Sequence, residues 1–226
     1  MIKFEGVTKK FGGETVALKN INFNIQKGEF IFITGPSGAG KTTLLRLILR
    51  ELMPDEGKII FEEKDIASLP KNKLHHLRRK IGGVFQDFKL LSDRTIFENV
   101  ALNLEIAGIN HQETSQRVSQ VLDLVGLEGK EKLFPRQLAG GELQRAALAR
   151  SLVGNPKLIF ADEPTGNLDP QTSWQIVDLL KKINKQGMTF VIATHNFEIV
   201  DSMNERVIHL EKGRLISDTK KGKYKK

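Results

Sequence analysis

Three short apolar runs divide the chain, and they alternate with stretches whose apolar residues recur at helical spacing. The runs are residues 30–34, 158–161 and 188–193, and β-branched or aromatic residues enrich all three. Continuous apolar runs of this length are typical of strands buried on both faces of a parallel sheet. The pattern therefore predicts a parallel sheet at the centre of the fold.

Two later stretches have the spacing of amphipathic helices, and each is followed by a glycine suited to end a helix. The two sets, with their glycines, are Val118, Val121, Leu122 and Val125 before Gly126, and Ile176, Leu180 and Ile183 before Gly187. Strand and helix patterns that alternate in this way predict an α/β fold.

The opening of the chain has a different pattern. Residues 1–30 and 57–63 have the pattern of short strands, and glycine-rich turns at Gly12-Gly13 and Gly28 join the first of them. These segments predict a small antiparallel β layer beside the main sheet.

A long helical stretch interrupts the strand series between about residues 87 and 154. We interpret it as a helical subdomain inserted into the core. The chain is then one domain over residues 1–226, in which residues 1–86 and 155–226 form the α/β core and its β layer.

Composition narrows the class of protein. The 226 residues are 39% hydrophobic and 27% charged, as in ordinary globular domains, and there is no cysteine for a disulfide or a thiolate metal site. No apolar run reaches the roughly 18–20 residues that span a bilayer. The first residues also lack the apolar segment of a secretory signal. We therefore expect a cytoplasmic location.

The net charge of +8 is concentrated in residues 71–80 and 220–226. A solvated surface and a frayed terminus are the simplest explanation for such runs. Anionic lipid headgroups on the inner leaflet are a second candidate partner. Nucleic acid is disfavoured, because these runs lack interleaved aromatic residues and match no recognition module.

A phosphate-binding loop follows the first apolar run and opens a helical stretch over residues 44–52. Its residues fit the G-x-x-x-x-G-K-[ST] pattern, and they are Gly35, Pro36, Ser37, Gly38, Ala39, Gly40, Lys41, Thr42 and Thr43. Glycines let backbone N–H groups curl around phosphates, the Lys41 ammonium would reach the β- and γ-phosphates, and the Thr42 hydroxyl would bind Mg²⁺.

Two further segments suit the same chemistry. Asp162 and Glu163 end the second apolar run, where one carboxylate can hold Mg²⁺, directly or through water, while the other faces the γ-phosphate. Far away in sequence, Gly140 and Gly141 open an amphipathic helix and offer a second set of N–H donors for an anion.

The phosphate loop, the acidic strand end and the Gly-Gly helix together resemble the ATP-binding cassette (ABC) family. The resemblance implies a P-loop NTPase (RecA-like) core that hydrolyses ATP with Mg²⁺. Asp162 is then the metal ligand and Glu163 the residue that polarises water. The remaining positions that match family motifs are Gln86 for Mg²⁺ and water, His195 for the γ-phosphate, Phe11 and Val16 for adenine, and Asn167, Leu168 and Asp169 for the D-loop.

The family signature implies a homodimer that closes around ATP, since the signature of one subunit acts on ATP bound to the other. Its residues here are Leu138, Ala139, Gly140, Gly141 and Glu142. The usual signature sequence is Leu-Ser-Gly-Gly-Gln, so Ala139 lacks the serine hydroxyl. One hydrogen bond from such a hydroxyl is worth roughly 0.5–1.5 kcal/mol, or up to about 3 kcal/mol when its partner is charged. We expect weakened closure or slow turnover, with hydrolysis retained.

Four segments of the sequence resemble cell-division members of the family. They are residues 77–91, 94–101, 166–174 and 193–201. These act at the cytoplasmic face of the membrane with an integral membrane partner and regulate peptidoglycan hydrolysis. ATPases of lipoprotein-release or macrolide-efflux systems are the alternative. A soluble ABC ATPase acting on nucleic acid and a non-enzymatic binding module are less well matched.

The surface over residues 86–100 is the expected contact with a membrane partner. Ile96, Phe97 and Val100 are apolar enough to line a groove for a short cytoplasmic helix. Packing inside the helical subdomain is an equally good interpretation of these three residues.

Overall fold

The computed structural model describes residues 1–12 and 15–224, and these contain two sheets. Gly13, half of the turn expected at Gly12-Gly13, and Lys225 and Lys226 of the basic terminal run lie outside the described residues.

The larger sheet has six strands, in the spatial order β10-β9-β3-β8-β7-β6. All neighbours are parallel except β10, which pairs with β9 in the antiparallel sense. Its strands are β3 (Phe30–Thr34), β6 (Ile81–Phe85), β7 (Leu158–Asp162), β8 (Thr189–Ala193), β9 (Arg206–Glu211) and β10 (Arg214–Thr219). Every residue of β3 and β8 is buried, which confirms the interpretation of their apolar runs as central strands.

The smaller sheet is the antiparallel layer expected from the opening segment, with the order β2-β1-β4-β5. Its strands are β1 (Ile2–Phe11), β2 (Thr15–Ile25), β4 (Glu56–Phe61) and β5 (Lys64–Asp65). Buried and exposed residues alternate along the second half of β2, because one face of the layer packs on the core and the other meets solvent.

Helices cover the main sheet and fill the connection between β6 and β7. They are α1 (Lys41–Ile48), α2 (Leu74–Arg79), α3 (Ile96–Ile106), α4 (His111–Leu124), α5 (Gly140–Leu152), α6 (Pro170–Lys185) and α7 (Phe197–Met203). Gly126 and Gly187 have positive φ just beyond the ends of α4 and α6, so both act as helix stops as predicted. The α/β fold is confirmed.

Helices α3, α4 and α5 occupy the region predicted as a helical subdomain, and the limits of that unit stay a prediction. Ile96 and Val100 are fully buried in the core cluster that these helices share with the sheet. They therefore pack inside the subdomain, and the alternative that they line an open groove is wrong for these two residues. Phe97 is only partly buried.

Helix α5 also packs directly on the central sheet. A Cβ on Gly82 of β6 would lie 2.7 Å from the Ser151 carbonyl oxygen near the end of α5, so the helix approaches the strand more closely than any side chain allows. The helix that begins at the signature is thus fixed to the strand that precedes Gln86.

Candidate nucleotide and catalytic site

The phosphate loop joins the end of β3 to the start of α1. Gly35, Gly38 and Gly40 have φ values of 145°, 77° and 106°, in the region that favours glycine. A Cβ on Gly35 would lie 2.2 Å from the Leu210 carbonyl oxygen, and one on Gly40 would lie 2.8 Å from that of Ala17. The loop therefore needs these glycines, and its role as an anion cradle stays a prediction.

The Lys41 ammonium contacts the first two residues of this loop. It donates hydrogen bonds to the Gly35 carbonyl at 2.8 Å and to the Pro36 carbonyl at 3.1 Å. A phosphate oxygen would be a stronger acceptor than either carbonyl, because its hydrogen bond to the ammonium would be charge-assisted. Lys41 therefore contacts the phosphate loop, and its contact with the β- and γ-phosphates stays a prediction.

Thr42 and Asp162 meet across the cavity although 120 positions separate them in sequence. The Thr42 hydroxyl donates to Asp162 Oδ2 at 3.1 Å. Burial raises the pKa of the Asp162 carboxyl; the neighbouring Glu163 adds to the effect, whereas the Thr42 hydrogen bond and the Lys41 charge oppose it. A hydroxyl and a carboxylate beside a phosphate cradle are the hard oxygen donors that Mg²⁺ prefers, so the residues fit this ion.

Glu163 is held by the loop that follows β8. Its carboxylate accepts hydrogen bonds from the Thr194 hydroxyl at 3.1 Å and the His195 N–H at 3.3 Å, and it lies 2.7 Å from His195 Nδ1. Glu163 itself has φ 48°, and its N–H donates to the Ala193 carbonyl at 2.8 Å. A left-handed glutamate is strained, and such strain is typical of functional sites. The two residues predicted to face the γ-phosphate therefore form one unit.

Gln86 contacts the D-loop of its own chain. Its amide nitrogen donates to Asn167 Oδ1 at 3.1 Å, and the Asn167 amide donates back to the Gln86 carbonyl at 2.9 Å. A Cβ on Gly166 would lie 3.0 Å from the same Gln86 amide nitrogen. The predicted metal-contacting residue and the predicted D-loop are thus directly paired.

A single cavity of about 830 Å³ joins these groups. The predicted residues that line it are Pro36, Ser37, Gly38, Ala39, Gly40, Lys41, Thr42, Thr43, Gln86, Asp162, Glu163 and His195. Sequence reasoning missed further lining residues, namely Ala17, Phe85, Asp87, Lys89, Phe197 and Tyr224. The available clue to Tyr224 was that it is the only tyrosine, placed within a run of lysines.

Phe11 and Val16 lie near the facing ends of β1 and β2, outside the lining of this cavity. Phe11 pairs with Thr15 and Val16 with Lys10, and each of the two apolar side chains is 38% exposed. Exposed apolar side chains suit a base-stacking surface. Their contact with adenine stays a prediction.

The signature residues lie away from the phosphate loop of their own chain. Ala139 is the N-cap of α5, and its N–H donates to the Glu142 carboxylate at 3.0 Å, while Glu142 also pairs with Lys130. These two contacts, the Lys130 hydrogen bond foremost, lower the pKa of the Glu142 carboxyl. Since Ala139 has no side-chain acceptor, only half of a capping box forms.

The two signature glycines pack against the D-loop and the helix that follows it. A Cβ on Gly141 would lie 2.4 Å from Thr172 Cγ2, and one on Gly140 would lie 3.2 Å from Leu168 Cδ2. Asp169 caps α6 by accepting from the Thr172 N–H at 3.0 Å. Leu138 is almost fully buried beside them. The signature and the D-loop therefore pack against each other. None of the residues 138–142 lines the cavity of its own chain.

Arg150, near the end of α5, holds the backbone that follows Gln86. Its guanidinium donates to the Phe88 carbonyl at 2.9 Å and to the Lys89 carbonyl at 2.5 Å. Phe88 and Lys89 have φ values of 59° and 53°, so two successive residues are left-handed. Such a turn costs about 1–2 kcal/mol per residue and persists only when its surroundings hold it. Arg150 thus connects the signature helix to the loop at the catalytic cavity.

Comparison with known sequences agrees with this site. The family model described as "ABC transporter" matches residues 18–166. The cell division ATP-binding protein FtsE of Bacillus subtilis (strain 168) is 49% identical over 224 residues, which cover 99% of this chain and 98% of that protein. FtsE of Escherichia coli (strain K12) is 46% identical over 215 residues, or 95% of this chain and 97% of that protein.

Solved structures give the same result. The ATP-binding cassette MJ0796, in a dimeric post-hydrolysis state bound to ADP and Pi, has a TM-score of 0.87 and 39% identity, covering 99% of this chain and 100% of that one. CbiO1 from Clostridium perfringens, part of the ABC transporter complex cbiONQ, has a TM-score of 0.90 and 34% identity, covering 97% and 88%. The resemblance drawn from the motifs is confirmed: the chain belongs to the ABC transporter family and is an ATP-binding ATPase of that family.

Proposed function

We propose that this ATPase binds ATP with Mg²⁺, closes as a homodimer around it, and acts on an integral membrane partner of FtsX type to regulate peptidoglycan hydrolysis in bacterial cell division. The observation that carries the proposal is the near full-length similarity to proteins named FtsE from several bacteria, at 46–49% identity. Work at the cytoplasmic face of the cell membrane follows from that partner. None of the helices that the structure describes has the length and apolar character needed to cross a bilayer.

Different residues of the cavity have different roles in ATP hydrolysis. The glycine cradle and Lys41 bind the phosphates, and Thr42, Asp162 and Gln86 would hold Mg²⁺, directly or through water. The metal would neutralise phosphate charge. Glu163 orients water and accepts its proton, while His195, paired with Glu163 at 2.7 Å, keeps that carboxylate aimed into the cavity.

The second half of each catalytic site comes from the other subunit. The start of α5 presents the N–H groups of Gly140 and Gly141 beside positive helix-dipole charge, which suits a phosphate group. These residues are absent from the lining of the cavity in their own chain. The similar MJ0796 cassette forms a dimer, which supports the same assembly here.

The membrane partner binds in a groove between the core and the helical subdomain, here called the docking groove. This cavity of about 720 Å³ is bounded by α2, β6 and the end of α3. Ile106, one of its lining residues, is 65% exposed, and its cationic lining residues include Arg78, Arg79 and Arg117. A lining that combines exposed apolar and basic side chains suits a short amphipathic helix that carries acidic residues.

The test of the docking groove is partner capture with a matched pair of variants. The chain is co-expressed with the FtsX-type membrane protein from the same genome, and the complex is purified in detergent. Ile106→Glu places a negative charge in the lining of the groove, whereas Ile216→Glu makes the same change at an isoleucine of β10 that is 50% exposed. We expect Ile106→Glu to lose the partner and Ile216→Glu to retain it.

Two results would contradict the proposal. Capture of the partner by Ile106→Glu as well as by the parent would place docking elsewhere. If the unmodified chain bound only a lipoprotein-release or macrolide-efflux membrane protein, the cell-division role would be wrong while the ATPase assignment stood.

A further inference from the structure

A short segment after the last strand, residues 220–224, turns back across the protein and is here called the strap. The Gly222 N–H donates to the Glu205 carbonyl at 3.0 Å, and the Tyr224 N–H donates to Asp201 Oδ1 at 2.6 Å. Asp201 lies in α7, and Glu205 lies between α7 and β9. The strap backbone is therefore fastened to the helix that directly follows the His195 loop.

Gly222 allows this close approach. It is buried, and a Cβ at this position would lie 2.7 Å from Val207 Cβ and 2.9 Å from Val207 Cγ2. Any larger residue would push the strap away from β9, because real side chains do not tolerate such distances in a packed interior. The seating of the strap thus depends on one glycine.

The Tyr224 ring carries the strap to the base of the phosphate loop. It packs edge-on against the His209 ring, with a centroid distance of 6.1 Å and an interplanar angle of 77°. His209 Nδ1 in turn lies 3.0 Å from the Thr34 hydroxyl, in the residue immediately before Gly35. Such an edge-to-face pair fixes the orientation of both rings. A continuous set of contacts therefore runs from the strap to the phosphate loop.

The same tyrosine is part of the catalytic cavity wall, together with Glu163, His195 and Phe197. Burial raises the pKa of the Tyr224 phenol, and the nearby Glu163 carboxylate raises it further. The side chain is therefore neutral at physiological pH and adds no negative charge beside bound phosphates. It is placed to act by position.

We propose that Tyr224 is a positioning residue for ATP hydrolysis: seated by the strap, its ring braces α7 and the His195 loop against β9, and thereby fixes the Glu163–His195 pair relative to the phosphate loop. The inference goes beyond the proposed cell-division role, because it concerns turnover by the ATPase itself. The ring supplies the packing contact, so the hydroxyl is dispensable.

The test compares four variants of the full chain by steady-state ATP hydrolysis. Tyr224→Ala removes the ring, Tyr224→Phe retains it, Gly222→Val displaces the strap while leaving Tyr224 intact, and Lys223→Ala alters an exposed neighbour. A catalytic group displaced by about 1 Å can lose up to about 100-fold in rate, so we expect Tyr224→Ala and Gly222→Val to lower kcat by about ten-fold. KM for ATP should change by less than about two-fold, because Lys41 and the glycines of the phosphate loop are unchanged.

Tyr224→Phe and Lys223→Ala should match the parent in both constants. Hydrogen exchange gives a readout independent of turnover: Tyr224→Ala and Gly222→Val should speed amide exchange over residues 194–203, with α1 unchanged. Parent-like kcat and exchange in both variants would overturn the proposal. Loss of kcat in Tyr224→Phe equal to that in Tyr224→Ala would also overturn it, since the hydroxyl would then act. None of these measurements involves the membrane partner, so the cell-division role and this inference can fail separately.

Discussion

Ala139 is the residue at which this chain departs most clearly from the family signature. The Glu142 carboxylate accepts the Ala139 N–H, but no side chain at position 139 returns a bond to the first turn of α5. A serine there would complete the capping box and would also offer a hydroxyl to a nucleotide on the partner subunit. We therefore expect one missing oxygen to affect both helix stability and dimer closure.

Ala139→Ser should raise thermal stability and strengthen ATP-driven dimerisation. N-capping by serine is worth about 1 kcal/mol, and a hydrogen bond to a charged phosphate about 1.5–3 kcal/mol. Thermal unfolding measures the first effect, and ATP-dependent dimerisation in gel filtration measures the second. Ala139→Val, which also lacks a hydroxyl and is an equally poor N-cap, is the control. A more stable monomer with an unchanged dimer and unchanged ATPase rate would limit the serine to capping.

Glu163→Gln should bind ATP and accumulate as the closed dimer. Glutamine preserves shape but cannot accept the proton of water, and a general base contributes about 100- to 10,000-fold to rate. ATPase assays and ATP-dependent dimer formation measure the two effects. The exposed Glu63→Gln is the matched control. Parent-like hydrolysis by Glu163→Gln would mean that another group serves as the base.

At the scale of elements, the catalytic groups gather because β3, β8 and β7 are adjacent and parallel. Their carboxyl ends deliver the phosphate loop, His195 and Asp162 to one edge of the sheet. Local sequence predicts such groups well, since each motif follows an apolar run that marks its strand. Strand order is a property of pairing, and the motifs predict it only through the family resemblance.

Contacts between distant segments were less predictable. Three such contacts join positions that no periodic pattern of the sequence connects. They are the Gln86–Asn167 pair, the hydrogen bonds of Arg150 to the turn after Gln86, and the position of the Tyr224 ring in the cavity wall. The burial of Ile96 and Val100 could not be predicted for the same reason, because an apolar residue suits a groove and a core equally. Side-chain partners across elements depend on how the helices pack, which sequence spacing alone does not determine.

Arg150 joins α5 to the turn after Gln86 through its hydrogen bonds to Phe88 and Lys89. We therefore expect Arg150→Lys to weaken the coupling between partner binding and ATP hydrolysis. A lysine ammonium lacks the planar fork that serves the Phe88 and Lys89 carbonyls together. The left-handed turn should then relax, which lowers stability by about 1–3 kcal/mol. Arg150 also lines the docking groove, so partner-stimulated ATPase should fall more than basal ATPase.

Denaturant unfolding and ATPase assays with and without the membrane partner measure these effects. Arg136→Lys, at an exposed arginine before the signature, is the control and should behave like the parent. Equal loss of basal and stimulated rates in Arg150→Lys would make these hydrogen bonds structural, with no part in coupling.

At the scale of the whole molecule, the net charge of +8 favours contact with an anionic membrane surface, where the protein is proposed to act. Lys220, Lys221 and Lys223 are exposed and follow one another closely after β10. Clustered lysines near an anionic leaflet contribute about 1 kcal/mol each to membrane binding, an attraction that salt screens. The strap backbone contacts leave these three side chains directed away from the packed surface.

Replacing Lys220, Lys221 and Lys223 with glutamine should weaken binding to anionic vesicles by about 100-fold, because three such contacts are lost. The matched control replaces three exposed lysines elsewhere, Lys27, Lys58 and Lys64, and so removes the same total charge. Sedimentation with vesicles of mixed phosphatidylserine and phosphatidylcholine measures the difference, and pure phosphatidylcholine gives the baseline. If both triple variants weakened equally, overall charge would be responsible; if neither did, the run would be only a solvated surface. A loss confined to the first variant, with parent binding that high salt abolishes, would support direct contact of this segment with an anionic leaflet.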